Sequence, residues 1–356
     1  MLETKPALIP FRGTCTAQEY LNYFYGGKQE LVQDNHKLVK LSNDGHEKAQ
    51  PVCRLAEVKI RPVQDYAWLN SYIFDKNYRL LLDQCRHPDV TVPVELSDCF
   101  RAAWPTTSIH IDEEVGYLAC SWLEHNHYHW MFHTLPRLFY YRQAGFKPTK
   151  FIMDCSNYGN TDVRFEMLHA LGVSSDAIYP LNPEYYYQVD NLISMPAIDI
   201  YKPLELSNIK LLRQHLYLDH FVPEDMSYKR LYISRADTKD RQVTNEAEVF
   251  NFLKEYNFNQ VSLSQLSFYR QVQLFSSAEI IIAPHGAGLA NIIFCKPGCN
   301  IIELMPASRL ADHYEHLANA CNLKYQKVIC ENIKNDAKHN MQLDIDKLKL
   351  GILKAK

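Results

Sequence analysis

The apolar and polar positions of the chain fall into two rhythms. In the C-terminal part, "RLYISR", "FNQVSL", "EIIIAPHG", "NIIELMP" and "KYQKVIC" are short, mostly apolar runs, the mark of strands buried on both faces. Between them lie segments with apolar residues at helical spacing: "TNEAEVFNFLKEYN" with Thr244 as N-cap, "SFYRQVQLFSSA", "GLANIIFC", "DHYEHLANACN" and a last helix near "DIDKLKLGILK". Five strands with intervening helices predict a doubly wound domain over 221–356, with its last helix packing back on an N-terminal domain of 1–220.

The earlier half is less regular. "DYAWLNSYIFDKNYRLLLDQ" predicts a hairpin around Asp75-Lys76-Asn77, and "TSIHIDEEVGYLACSW" a second pair of strands around an acidic turn. From residue 116 a strand leads into a helix, "HNHYHWMFHTLPRLFYYRQAG", that Asn126 caps and Gly145 ends. "FIMDC", "DVRFEMLHALG", "DNLISMP" and "LSNIKLLRQHLYLD" continue the strand and helix alternation, and the charged, Pro-bearing "HFVPEDMSYKR" reads as the linker. The expected class is α/β, a parallel sheet in each half behind a β-rich entry segment.

Composition narrows the function more than the fold. A hydrophobic share of 47% against 22% charged can fill a core and keep a soluble surface. A net charge of -3 excludes the basic footprint of a nucleic-acid binder, so any anionic ligand must be met by a local site. The N-terminal stretch lacks the order of a secretory signal, no run has the length of a membrane span, and no Asn-x-Ser/Thr site occurs. The expectation is a cytoplasmic chain with room for peripheral membrane association. Ten cysteines without CxxC pairs are expected to be reduced thiols.

Candidate chemistry gathers where the predicted strands end. In "IIIAPHGAGLANIIF" a buried strand runs to His285, and Gly286-Ala287-Gly288 turns the chain into a helix. Glycine lets backbone approach a ligand closely, and a helix N-terminus favours a phosphate. Arg235 ends "LYISR", Arg241 follows in the next loop, and Glu303 ends "NIIELMP", placed to accept from ribose hydroxyls. Together they predict a nucleotide diphosphate site, since a guanidinium matches phosphate oxygens in fork geometry. In the 125–137 helix, His125, His129, His133 and Arg137 recur every four residues and so share one face. One of the three histidines is the candidate general base. The zinc-protease pattern would need a Glu beside the first histidine, where Asn126 stands, so no metal site is assigned.

"LYISRADTKDRQVTNEAEVFNFL", "LSFYRQVQLFSSAEIIIAPHGAGLANIIFCKPGCNIIELMP" and "NHYHWMFHTLPRL" resemble the motifs of glycosyltransferase family 61, over about 116–306. The resemblance implies a GT-B architecture, two Rossmann-like domains facing across a cleft. It implies an inverting, metal-independent transferase that needs no cofactor, takes a nucleotide-diphosphate sugar such as a UDP-sugar, and glycosylates a saccharide acceptor. Capsular or other microbial polysaccharide biosynthesis fits that family. Arg235 and Arg241 match its diphosphate-facing residues, Asn245 and Glu246 its "NE" pair, and His285, Gly286, Ala287, Gly288 and Leu289 its "HGAGL" turn. Glu303 matches the carboxylate near the ribose. Two positions depart from the pattern: Ala236 stands where many members have a second Arg, and His133 where members often carry an acidic residue. The rival readings are a noncatalytic nucleotide-sugar binder of a polysaccharide assembly system, a dinucleotide oxidoreductase and a metallohydrolase. "HGAGLA" is not the GxGxxG fingerprint of the oxidoreductase.

Overall fold

The computed structural model describes residues 36–39, 50–65, 68–76, 104–119, 126–155, 161–195, 206–216 and 228–355. The chain forms two α/β units. One comprises Met1–His125, His133–Asn157 and Val173–Lys202, the other Asn126–Phe132, Tyr158–Gly172 and Pro203–Lys356. The division therefore does not fall at 220 as the sequence suggests: two earlier segments belong to the C-terminal unit. One of them carries α2 (Thr161–Ala170), whose Glu166 accepts from the backbone N–H of Phe268 and whose Arg164 lies 5.7 Å over the Trp130 ring. The expected linker lies largely outside the described residues.

The first unit is built on a seven-stranded sheet: β1 (His36–Val39), β2 (Gln50–Asp65), β3 (Trp68–Phe74), β4 (Thr107–Tyr117), β5 (Lys150–Met153), β6 (Ile178–Pro180) and β7 (Tyr185–Ser194). The order is β1-β2-β7-β4-β5-β6, with β3 paired to β2. β7, β4, β5 and β6 are parallel neighbours, whereas β2 runs antiparallel to β1, β3 and β7. The sheet is thus mixed: the strands of the expected parallel part, β4, β5 and β7, do run parallel, and the β-rich entry segment adds the antiparallel β1, β2 and β3. β3 forms its hairpin with β2, which precedes it, in the register Asp65↔Trp68; the second run of the expected hairpin lies outside the described residues. The expected acidic turn is no turn. β4 is one strand whose register shifts between Ile111 and Glu114, so the acidic residues sit in a bulge. There the Glu113 carboxylate accepts from the Tyr179 hydroxyl and pairs with Lys150 at 3.1 Å. Exposed pairing of this kind needs no chain reversal.

After β4, Asn126 accepts from the Tyr128 N–H at 3.0 Å and opens one α turn, His127–His129. A π turn, Trp130–Thr134, follows, then α1 (Pro136–Gln143). Gly145, at φ +85°, ends the segment as expected.

The second unit carries a six-stranded sheet: β8 (Arg230–Ile233), β9 (Asn259–Val261), β10 (Ile280–Pro284), β11 (Asn300–Pro306), β12 (Lys324–Asn332) and β13 (Met341–Gln342), in the order β13-β12-β11-β10-β8-β9. All pairings are parallel except β12 with β13. All five expected strands are present; β13 is additional. Every residue of β10 is buried, as a central strand requires. The helices are α3 (Leu206–Leu216), α4 (Glu246–Lys254), α5 (Phe268–Ser277), α6 (His313–Ala320) and α7 (Ile345–Lys354). Asn245, one residue later than expected, occupies the N-cap of α4. The α7 helix covers the sheet of its own unit: Leu348 and Ile352 share a core with Tyr232, Ile282, Ile302 and Leu304. All six cysteines among the described residues are free thiols, and five of them are buried. No helix among the described residues is long and apolar enough to cross a membrane.

Candidate functional site

The strand order of the second unit reverses between β8 and β10: β9 lies outside β8, and β11 and β12 lie outside β10. In such a sheet the crevice beyond the carboxyl ends at this switch point binds ligands. Arg235 follows β8, and His285 and Gly286 follow β10, so three of the sequence-predicted residues meet there. Gly286 is extended, and its importance is steric. A Cβ on it would stand 2.0 Å from Nη1 of Arg235, so only glycine lets the guanidinium lie against this turn.

The loop from 234 to 242 is held from several sides. Ser234 donates its hydroxyl to Glu246 at 3.0 Å, and Tyr232 donates to the other Glu246 oxygen at 2.9 Å. Arg235 Nε and Nη2 donate to the Asp240 carbonyl at 3.2 and 3.1 Å. Asp237 accepts from Ser262 and Ser264, tying the loop to the end of β9. Asn245 donates to the Leu343 carbonyl at 2.9 Å and accepts from the Leu343 N–H at 3.0 Å. The "NE" pair therefore braces this loop from behind: the hydrogen-bonding groups of Asn245 and Glu246 are engaged within the protein.

Arg241 adopts a left-handed backbone, φ 57°, uncommon for a residue with a side chain. Its Nε is buried and has no hydrogen-bond partner among the described residues. Burial and the nearby Arg241 bring Arg235 down to about 10; burial and Arg309 lower Arg241 in turn. Arg309, in the loop after β11, is a third cation that sequence reading missed. Its position just past "ELMP" was the available signal. None of the three forms an ion pair with a carboxylate among the described residues. Asp237 and Asp240 act on these arginines from nearby without pairing with them, so the cluster is a positive site only partly offset by carboxylates.

His285 is buried, 5% exposed, and its Nδ1 lies 2.6 Å from Glu303 Oε1. Glu303 is completely buried and its second oxygen accepts from the Tyr325 hydroxyl. With no surface exposed and one partner on each oxygen, Glu303 orients His285 from behind. Beside His285 stand the Tyr314 ring at 5.4 Å and the His313 ring at 6.5 Å, both from α6. The following segment, Ala287–Phe294, is the expected helix, of the 3₁₀ type, with Leu289 buried and its N–H on the Gly286 carbonyl at 3.0 Å.

The expected histidine face breaks up. The π turn adds a residue to the winding, so steps of four no longer stack. His133 and Arg137 are buried in the first unit, with Arg137 Nη1 donating to the Met195 carbonyl at 3.3 Å. His125 lies outside the described residues. His129 belongs to the second unit, where burial and then His313 hold it down to about 4. Its neighbour Tyr128 touches the His313 ring at 5.9 Å and the Tyr314 ring at 5.7 Å, which sets the 127–129 turn beside the residues around His285. Among the described residues no three His, Cys, Asp or Glu side chains converge as a metal-holding group.

Part of this chain is similar to known proteins. Residues 127–302 match the family model Glycosyltransferase 61, so the chain carries a domain of that family. Over 109 residues it is 31% identical to the EGF domain-specific O-linked N-acetylglucosamine transferase of Drosophila melanogaster, covering 30% of this chain and 21% of that protein. Over 80 residues it is 35% identical to the human protein O-linked-mannose beta-1,4-N-acetylglucosaminyltransferase 2, covering 22% of this chain and 14% of that one. The chain thus spans about a fifth or less of these two curated relatives. Among solved structures, the bacterial iron-containing dodecameric glycosyltransferase TibC from enterotoxigenic E. coli aligns over 78% of this chain and 82% of that chain, at 11% identity and a TM-score of 0.28.

Proposed function

We propose that this protein transfers a sugar, in the first instance N-acetylglucosamine, from a UDP-linked donor to a hydroxyl of a saccharide or glycoprotein acceptor with inversion at the anomeric carbon. The supporting observation is the cluster of Arg235, Arg241 and Arg309 beside His285 at the switch point, three guanidiniums without ion-pair partners among the described residues. A diphosphate would relieve their mutual repulsion, and it is also the group on which negative charge grows as the sugar departs. Preorganised donors at that position are the largest source of rate in such a reaction. The residues present offer this stabilisation without a bound metal. The two relatives, named for N-acetylglucosamine transfer, support the choice of sugar. A cytoplasmic polysaccharide-assembly setting belongs to the same proposal.

The test is calorimetric titration with UDP, UDP-N-acetylglucosamine and inorganic pyrophosphate, alongside Arg241→Ala. The expected result is UDP binding that weakens about 10- to 100-fold in the variant, since a hydrogen bond to a charged group contributes about 1.5 to 3 kcal/mol. No binding of any of the three by the wild type refutes the reading. Donor binding without nucleotide release in the presence of acceptors would identify a noncatalytic binder.

A further inference from the structure

Asn291 is fully buried in the 3₁₀ segment that follows His285. Its Nδ2 donates to Gln271 Oε1 at 2.8 Å, and Gln271 Nε2 donates to the carbonyls of Leu263 and Leu266, both at 3.1 Å. Those carbonyls only accept, so the Gln271 amide must turn its NH₂ toward them and its oxygen toward Asn291. Asn291 must in turn present its NH₂ to Gln271, which leaves Oδ1 facing His127 Nε2 at 3.0 Å. An amide oxygen cannot donate, so Nε2 of His127 carries a proton. In the neutral ring the lone pair then sits on Nδ1.

The surroundings favour that neutral ring. Burial pushes His127 below the ordinary imidazole range, against the hydrogen bond to Asn291, although the residue keeps part of its surface exposed. The 3₁₀ segment packed against its turn contains no ionisable side chain. The ionisable groups on the other neighbours are Tyr128 and His129 of its own turn, His313 and Tyr314 of α6, which meet that turn through Tyr128, and Arg164 of α2 over Trp130. No carboxylate stands behind the ring in the hydrogen-bonded chain. Two other histidines are placed differently: His133 is buried in the first unit, and His285, oriented through Nδ1 by Glu303, stands at the turn against which Arg235 lies, on the diphosphate side of the proposed site.

We infer that His127 accepts the proton of the attacking hydroxyl at Nδ1, with Asn291 and Gln271 as positioning residues that impose its tautomer. This rests on the transferase reading above. In the step, the acceptor O–H bond breaks and its proton passes to Nδ1 while the oxygen forms a bond to the anomeric carbon. The carbon–oxygen bond to the diphosphate breaks, and its electron pair leaves with the nucleotide.

Two measurements on the full chain test the assignment. Long-range ¹H–¹⁵N NMR of the His127 ring is expected to show a neutral, Nε2-protonated ring at pH 7; a proton on Nδ1 alone overturns the assignment. His127→Gln keeps a donor for Asn291 and is expected to lower kcat about 10²-fold or more, the scale of general-base catalysis, with UDP affinity within a few fold of wild type. Asn291→Asp, where it folds, is expected to move the acidic limb of the kcat/KM profile upward by about 1 to 3 units, because a carboxylate favours the charged ring. An active wild type whose His127→Gln variant stays within about threefold in kcat overturns this assignment alone. A wild type that turns over no nucleotide sugar overturns the transferase reading with it.

Discussion

A single missing carbon decides how Arg235 meets its ligand. Gly286→Ala would put a methyl group 2.0 Å from the guanidinium Nη1, and the side chain, already fixed to the Asp240 carbonyl, would have to leave the turn. The expected outcome is UDP affinity reduced about 10- to 100-fold with an unchanged circular-dichroism spectrum, measured by titration. His129 makes a different prediction at the same scale. Its ordinary value is 6.5 and its folded value about 4, so below about 6.5 the unfolded chain binds a proton that the folded chain refuses. Stability is therefore full above about pH 6.5, falls as the pH drops toward 4, and loses nothing more from this group below that. His127 and His313, both lowered by burial, add the same sign. His129→Gln is expected to flatten the fall in Tm across pH 6.5 to 4, and an unchanged slope would contradict the assignment.

The loop after β8 behaves as one braced element. Glu246 at the start of α4 accepts from both Tyr232 and Ser234, so the carboxylate joins the helix to the last residues of the strand and the start of the arginine loop. Glu246→Ala would leave the buried Tyr232 hydroxyl without this partner, at a cost of about 1 to 3 kcal/mol. Urea unfolding should show that loss, and UDP titration a weaker grip as Arg235 and Arg241 gain freedom. Motif position cannot tell a residue that touches a ligand from one that holds the loop that does; the hydrogen bonds of Asn245 and Glu246 give them the second role. Helix periodicity fails in a related way at 125–137: four-residue spacing shares one face of an α-helix, but a π turn changes the winding, and the hydrogen-bond pattern that creates it leaves no mark in residue spacing.

At the scale of the molecule, α7 closes the core of the second unit. Leu348 is fully buried with Ile352 against Tyr232, Ile282 and Ile302, so Leu348→Ala should destabilise the protein by about 2 to 5 kcal/mol. Chemical denaturation checks this, and a loss below about 1 kcal/mol would mean that the helix does not seal the sheet. The chain also weaves between units: 126–132 and 158–172 belong with the C-terminal sheet although they interrupt the N-terminal one. A linear boundary at 220 was the natural reading, because composition marks linkers and says nothing about a helix that leaves its own domain.

The residues by themselves determined the C-terminal strands, their parallel pairing and the gathering of Arg235, Arg241 and His285 at strand ends. Buried parallel strands must be continuous apolar runs, and polar residues just beyond them must fall on one edge of the sheet. Only the tertiary structure decided that Glu303 lies behind His285, that Arg309 joins the cations, and that Asn291 reaches back across 164 positions to His127. Local pattern reports which face of an element is apolar, a property of neighbours in sequence. Which nitrogen of a histidine holds a proton depends on partners that meet only when distant segments pack.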